Sequence, residues 1–405
     1  MTVVVDVERT DLFAPANIDS RRAADAIHRA DLVTKKNNEA AMRNDVLMSF
    51  PGAPSRRGFL KNLAACGLLA IVAPVVRAFD SPLDEAARLS DRLTINSMLA
   101  VAKAGSRLIA VGPRGGIIAS NDQGKNWTQA QVPVSVDLVA ISFPSEREGW
   151  VVGHGGVVLH TSDGGMTWEK QLDGLKASKL AIDYYSSNVA DIPDAQDFLA
   201  KERNLTANNE TQPFLGVFFI DEHRGYIVGT FNRIFATEDG GKNWVPQMHL
   251  TDNLQEWHFY SISGANNQIY ITGEQGLVRR HEPQTNRFVS VNTPYKGTIF
   301  GVTATDNEQV FVYGMRGSLF HSADQGHSWE RIPLPFESNL MQLLSVGDSH
   351  LLIIGQSGQI AQSNDGGRTF KAQQPNKPMP YYGAVLLDES RLALAGAQGV
   401  RIEAI

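Results

Sequence analysis

Five aspartates recur in one local setting. Asp122, Asp163, Asp239, Asp324 and Asp365 each stand two residues ahead of a glycine and five ahead of an aromatic, namely Trp127, Trp168, Trp244, Trp329 or Phe370. Repeated carboxylates invite two chemistries, an oxygen-ligand calcium site or acid catalysis on a glycoside. Both require the carboxylates to converge on one ion or one bond. Here they come one per repeat, so any ring of repeats holds them far apart. The same residues suit a turn better. An aspartate accepts hydrogen bonds from the amides just ahead of it, the glycine tolerates positive φ, and the aromatic is an apolar plug against the next unit. We read all five as structural Asp boxes, with no catalytic residue, no metal and no cofactor.

The elements that carry them repeat as well. A Gly-x-x-Gly hairpin occurs at Gly112/Gly115, Gly153/Gly156, Gly273/Gly276, Gly314/Gly317, Gly355/Gly358 and Gly396/Gly399, and a seventh copy pairs Gly229 with Asn232. Successive anchors lie 41, 76, 44, 41, 41 and 41 residues apart. A fixed period near 40 with short apolar runs between turn signals is the mark of propeller blades. One blade reads in full: strand 138–143, a polar turn, strand 150–153, the hairpin, strand 157–160, the box, and an outer strand 169–171. The fourth copy has lost its box (281–288) but keeps the aromatic Phe288. The seventh ends before its box, so it supplies three strands, and the segment from Asp84 to Leu93 stands in the right phase to add the fourth. The fold class is therefore all-β, a seven-bladed propeller over residues 79–405.

Composition narrows the function. A net charge of −6 argues against a general nucleic-acid binder. The single cysteine, Cys66, precedes the repeats, so they hold no disulfide and no cysteine metal site. Residues 55–78 read as a twin-arginine signal peptide: Ser55-Arg56-Arg57-Gly58-Phe59-Leu60-Lys61, an apolar run from Leu63 to Val76, then Val76-Arg77-Ala78 as a cleavage site. Leu63-Ala64-Ala65-Cys66 resembles a lipobox, although the apolar run continues past it. Residues 1–54 are an extension that is either disordered or, for 1–47, upstream of a true start at Met48. The mature chain has no apolar run long enough to span a membrane. Localisation is expected to be periplasmic, and the mature protein a monomer.

In a propeller the Gly-x-x-Gly tips ring the face opposite the boxes. The long interval places an extra segment, 174–212, on that same box-free face, with Lys176, Lys179, Asp183, Tyr184, Tyr185 and Phe198 in what reads as a long polar loop. A second enriched connection, 249–258, carries Asp252, Glu256 and Trp257. Aromatic residues in polar loops are natural contact residues. Tyr184, Tyr185 and Trp257, with Arg114, Arg233 and Arg316 on or just after the tips, are the expected partner-binding residues.

The hairpins, the Ser/Thr-x-Asp-x-Gly-x-Thr/Asn-Trp boxes and Gly149-Trp150-Val151-Val152-Gly153 together resemble the photosystem II stability and assembly factor family. That resemblance covers residues 84–405. It implies a seven-bladed propeller of the thylakoid lumen in phototrophs, or of the periplasm in other bacteria, which binds protein subunits of a membrane complex, partly through an arginine-rich patch. Arg114, Arg233 and Arg316 would be a sparse version of that patch. The box is shared with sialidases, so a sialidase-like glycoside hydrolase is one alternative, and an accessory protein of an envelope exporter is another. The arginine-bearing signature that precedes a sialidase's first box is absent. Phe231-Asn232-Arg233-Ile234-Phe235 echoes it, in another blade.

Overall fold

The computed structural model describes residues 81–305, 308–347 and 349–405. The segments expected to be an extension (1–54) and a signal peptide (55–78) lie outside the described residues. Seven antiparallel sheets form, each a meander whose neighbours in sequence are neighbours in space. The first is β1 (Ala100–Ala104), β2 (Arg107–Val111), β3 (Ile117–Ser120) and β4 (Thr128–Gln129). The second is β5 (Leu138–Ser142), β6 (Gly149–Gly153), β7 (Val158–Thr161) and β8 (Glu169–Leu172). Then follow β9–β12 within 214–246, β13–β16 within 259–291, β17–β20 within 299–332, β21–β24 within 340–373 and β25–β27 within 381–404. Each innermost strand abuts the innermost strands of both neighbouring blades, and β25 abuts β1, so the ring is closed.

The burial pattern explains why these segments are strands. Every second strand packs between two neighbouring sheets, so β6 and its equivalents in 310–314 and 351–355 are buried at every position. A strand covered on both faces reads as a continuous apolar run rather than an alternation. Outer strands such as β8 see solvent and are short and polar. The core lies between blades. Ile109 and Val111 of the first blade share one cluster with Val151, Leu159 and Trp168 of the second.

The seventh sheet has three strands, and the expected fourth strand from Asp84–Leu93 does not form. Residues 81–96 instead run across the box-free face. Lys170 Nζ donates to the Leu83 carbonyl and pairs with Asp84 at 2.8 Å. Ala87 N donates to the Val132 carbonyl, and Leu93 is buried with Met98 and Ala395. The reason is in the tip geometry. The second glycine of each hairpin lies against the connection that leads to the next blade: Gly115 against Val134, Gly276 against Tyr295, Gly317 against Phe336 and Gly358 against Met379. Gly399 lies in the same way against Thr94. The segment thus replaces a connection between blades rather than a strand. The seventh and first blades meet through side chains, Ala393 and Ala395 with Val101, Leu108 and Ala110.

The boxes are closed turns. Thr161 Oγ1 donates to Asp163 Oδ1 at 2.8 Å and accepts from Gly165 N at 3.0 Å. Met166 N and Thr167 N donate to Asp163 Oδ1, and Thr167 Oγ1 donates to Oδ2 at 2.7 Å. Trp168 Nε1 reaches the Gly165 carbonyl at 3.0 Å. The Ser/Thr-to-carboxylate and amide-to-carboxylate bonds recur around Asp122, Asp239, Asp324 and Asp365, and the indole bond recurs at Trp127. The box-less fourth blade uses a tight turn between Glu282 and Arg287, and Phe288 is buried there as Trp168, Trp244 and Phe370 are in their blades.

Partial burial pushes the Asp163 carboxyl up, but donors from Thr167, Thr161 and Met166 outweigh it and hold it at about 2. The Asn126 amide does the same for Asp122, and the Ser328 hydroxyl for Asp324, each to about 2. A carboxyl depressed by folding stabilises the native state above its ordinary value of 3.8 and stops doing so as pH falls through 2. We expect Asp163→Ala to cost about 0.5–2 kcal/mol at neutral pH, as loss of a comparable side-chain-to-backbone bond does. The gap between variant and wild type should close between pH 4 and 2. Denaturant titrations at several pH values check this, and a gap that stays constant down to pH 2 contradicts it.

Candidate functional site

At the tips, Arg114, Phe231, Gln275 and Arg316 all sit in the left-handed region, with φ between 53° and 55°. The backbone there is held by the connection to the next blade. Arg114 N donates to Asp137 Oδ1 at 3.0 Å, and Arg316 N to Asn339 Oδ1 at 3.2 Å. The two arginine side chains are left exposed. They stand on the first and fifth blades, with at least two blades between them either way round the ring, so they share no pocket.

Arg233, expected on the surface, is buried, with 1 % of its side chain exposed. Its Nη1 donates to both Glu202 carboxylate oxygens, at 2.9 and 3.2 Å, and Nη2 donates to Ser178 Oγ at 3.1 Å. The guanidinium lies 5.5 Å from the Phe235 ring centroid and 5.9 Å from that of Phe214. Arg233 therefore fastens the insertion to the third blade and is withdrawn from partner contact.

The insertion is a helical hairpin, not the long polar loop expected. Helix α1 (Gly174–Ser187) starts at Asp173, whose side chain accepts from Lys176 N, and buries Ala177, Ala181 and Tyr185, four residues apart. Helix α2 (Ala195–Ala207) buries Ala195, Leu199, Glu202 and Leu205. Tyr185 is thus core, a second correction. Its ring stacks on Phe198, and its hydroxyl meets His249 Nδ1 at 3.2 Å. Tyr184 and Trp257 are half-buried against the same cluster.

The sequence reading missed the network behind the second connection. Asn232, which departs from glycine in the repeat, accepts through Oδ1 from Thr251 Oγ1 (2.6 Å) and Asn253 Nδ2 (3.1 Å), and its Nδ2 donates to the Met248 carbonyl. All three side chains are buried. The asparagine holds the 248–257 connection in place, and asparagine tolerates its φ of 63°. A break in a glycine repeat was the available signal.

Also missed was the mouth of the central channel, a cavity of about 520 Å³ lined by the innermost strands. Six of those strands carry a β-bulge next to their first residue. The skipped residues are Val139, Leu215, Tyr260, Phe300, Met341 and Tyr382, all apolar or aromatic and all lining the channel at its box-free end. A bulge re-aims a side chain. An aromatic path follows: Phe231 to His258 at 4.4 Å between centroids, His258 to Tyr260 at 6.5 Å, and Tyr260 to Phe300 at 6.0 Å.

Two titratable groups nearby are held in their neutral forms. Burial pushes the Tyr260 phenol up, and Glu274 adds to the shift, which works against a phenolate nucleophile. Burial and Arg287 lower His249 to about 4, so it stays neutral as it braces Tyr185. The three arginines of a sialidase-type grip are not brought together, since Arg233 is buried and Arg114 and Arg316 lie on separate blades. Among the described residues no group of histidine, cysteine and carboxylate side chains could hold a metal ion, and no helix is long and apolar enough to cross a membrane.

A family model described as photosynthesis system II assembly factor YCF48 matches residues 95–187 and 199–330. Two curated relatives are photosystem II stability/assembly factor HCF136, chloroplastic. The one from Cyanidioschyzon merolae is 28% identical over 199 residues, covering 45% of this chain and 44% of that protein. The one from Oryza sativa subsp. japonica is 23% identical over 181 residues, covering 41% and 39%. The chain thus spans less than half the length of these relatives. Among solved structures, "YCF48 bound to D1 peptide" superposes with a TM-score of 0.58 at 17% identity, over 79% of this chain and 96% of that one. YCF48 from Cyanidioschyzon merolae gives 0.56 at 15%, over 79% and 98%. At such identities the structural likeness is one of fold.

Proposed function

Because the chain belongs to the photosynthesis system II assembly factor YCF48 family, we propose that it is an exported, non-enzymatic binding propeller. On this reading its box-free face captures a protein subunit of a membrane or envelope complex during assembly. One observation carries it: the exposed apolar surface is concentrated on that face. Of the six large apolar side chains that are strongly exposed among the described residues, Val189 lies in the insertion, Phe231 on a tip and Leu254 in the second connection. Leu89 and Ile95 lie in the segment that crosses the tips. Only Val245 belongs to an outer strand. Exposed apolar residues gathered beside an aromatic-lined mouth are typical of protein-binding surfaces. Family membership and a solved YCF48 that carries a D1 peptide support a protein client. The tyrosine and arginine arrangement gives no support to a sialidase-like activity.

The test is capture from envelope membranes by the tagged chain expressed in its own host, with the captured proteins identified. Wild type should recover a subunit of one membrane complex. Phe231→Ser with Leu254→Ser should recover about tenfold less at an unchanged melting temperature, while Lys242→Ala, beside a box, should recover as much as wild type. The opposite ranking would move the site to the box face. Export is part of the proposal. Arg56→Lys with Arg57→Lys should leave the protein, and any captured subunit, out of the periplasmic fraction, and delivery of that variant would refute the twin-arginine route.

A further inference from the structure

The helical hairpin and the 248–257 connection do not close on each other. Between them runs a groove of about 550 Å³. Its floor is apolar, from Ile192, Phe198, Met248 and Leu250, and Leu254 stands at its edge with 85% of its surface exposed. The charges around it do not balance. Lys201 pairs with Glu256 at 2.5 Å, Arg287 with Asp252 at 3.2 Å, and Arg233 with Glu202 in the core. Arg287, the one lysine or arginine among the residues lining the groove, is therefore already engaged. Asp191, Asp194 and Asp197 line the groove, are exposed, and make no ion pair among the described residues. Asp197 has a local partner in the dipole of the first turn of α2. Asp191 lies ahead of that helix and Asp194 caps it without a side-chain bond.

We propose that this groove receives a basic segment of the protein partner, an apolar anchor flanked by lysine or arginine. The apolar side chain would pack on the floor beside Leu254, and the flanking cations would face the three free carboxylates. Charge complementarity selects this occupant. An acidic segment would meet three unpaired carboxylates with no free cation to offset them, and like-charge juxtaposition suppresses wrong partners. Rigid bracing favours a preformed groove. The Asn232 network fixes one wall and the Arg233–Glu202 pair the other. The proposal rests on the box-free face being a protein-binding surface and adds the polarity of what binds there.

The experiment uses the mature chain and two short synthetic peptides, a leucine pair flanked by lysines and the same pair flanked by glutamates. Binding is followed by fluorescence anisotropy at low and at raised salt. The lysine peptide should bind at least tenfold tighter than the glutamate peptide. Asp191→Asn with Asp194→Asn and Asp197→Asn should weaken it about tenfold and flatten its salt dependence, and asparagine keeps the capping capacity of α2. Leu254→Ser should weaken it with the salt dependence intact. A control of equal charge change on the box face, Glu146→Gln with Glu238→Gln and Glu389→Gln, should leave binding as in wild type. Equal binding of the two peptides, or equal loss in the control triple, overturns the inference. If neither peptide binds while capture of the membrane subunit still fails in the Phe231/Leu254 variant, the groove assignment falls and the protein-binding reading stands.

Discussion

Glu202→Ala should destabilise the protein by about 3–5 kcal/mol, the largest loss expected from any side chain of the insertion. The magnitude follows from what is left behind. Arg233 has no route to water, with 1 % exposure, and without the carboxylate its charge faces only Ser178 Oγ and two phenylalanine rings. An unpaired charge in that setting costs several kcal/mol, whereas a matched apolar pair of similar volume is often neutral or better. Glu202→Leu combined with Arg233→Met should therefore be far closer to wild type than either single change. Two readouts separate local from global loss. Helical circular dichroism reports the hairpin, and the fluorescence of Trp244, buried in the third blade, reports the sheet beneath it. Stability of Glu202→Ala equal to wild type, with the hairpin intact, would mean that the pair does not hold it.

Much of the fold was legible because a propeller writes its period into its turns. A glycine that must take positive φ, or admit a passing chain, cannot be exchanged freely, so Gly115, Gly276 and Gly317 mark the blades from sequence alone. The insertion was less legible because its helical signal is split. Ala177, Ala181 and Tyr185 repeat at four, and Leu199, Glu202 and Leu205 at three, but the polar text around them resembles loop. Glu202 on an apolar stripe was the clue to a buried partner, and Arg233, next to a tip in sequence, was that partner. Position in sequence gives the blade and the face. It does not give the direction of a long side chain, which is why one of three arginines proved to be core. The channel mouth was hidden for a related reason, since a bulge re-aims one residue per strand without leaving a sequence signature of its own.

Gly276→Ala should cost at least about 2 kcal/mol, and more than the same change at a surface turn. Its φ is +74°, which penalises any Cβ by about 1–2 kcal/mol. An added Cβ would also meet the Tyr295 carbonyl oxygen, part of the backbone leading to the fifth blade, and Gly276 N is bonded to the Gly297 carbonyl at 2.8 Å. Relief would require the connection to move away, breaking that bond. Asn232 occupies the equivalent place in the third blade and makes the contrast. There the connection is longer and wraps around the side chain, so the Cβ is accommodated and the amide serves as a clamp. Gly276→Asn should therefore be at least as damaging as Gly276→Ala, because no polar connection waits to receive the amide. Asn232→Gly should destabilise by losing the clamp while relaxing the backbone. Thermal melts of the three variants test the pair of arguments. If Gly276→Asn melted like wild type, tip geometry would follow from the residue alone and not from the chain passing over it.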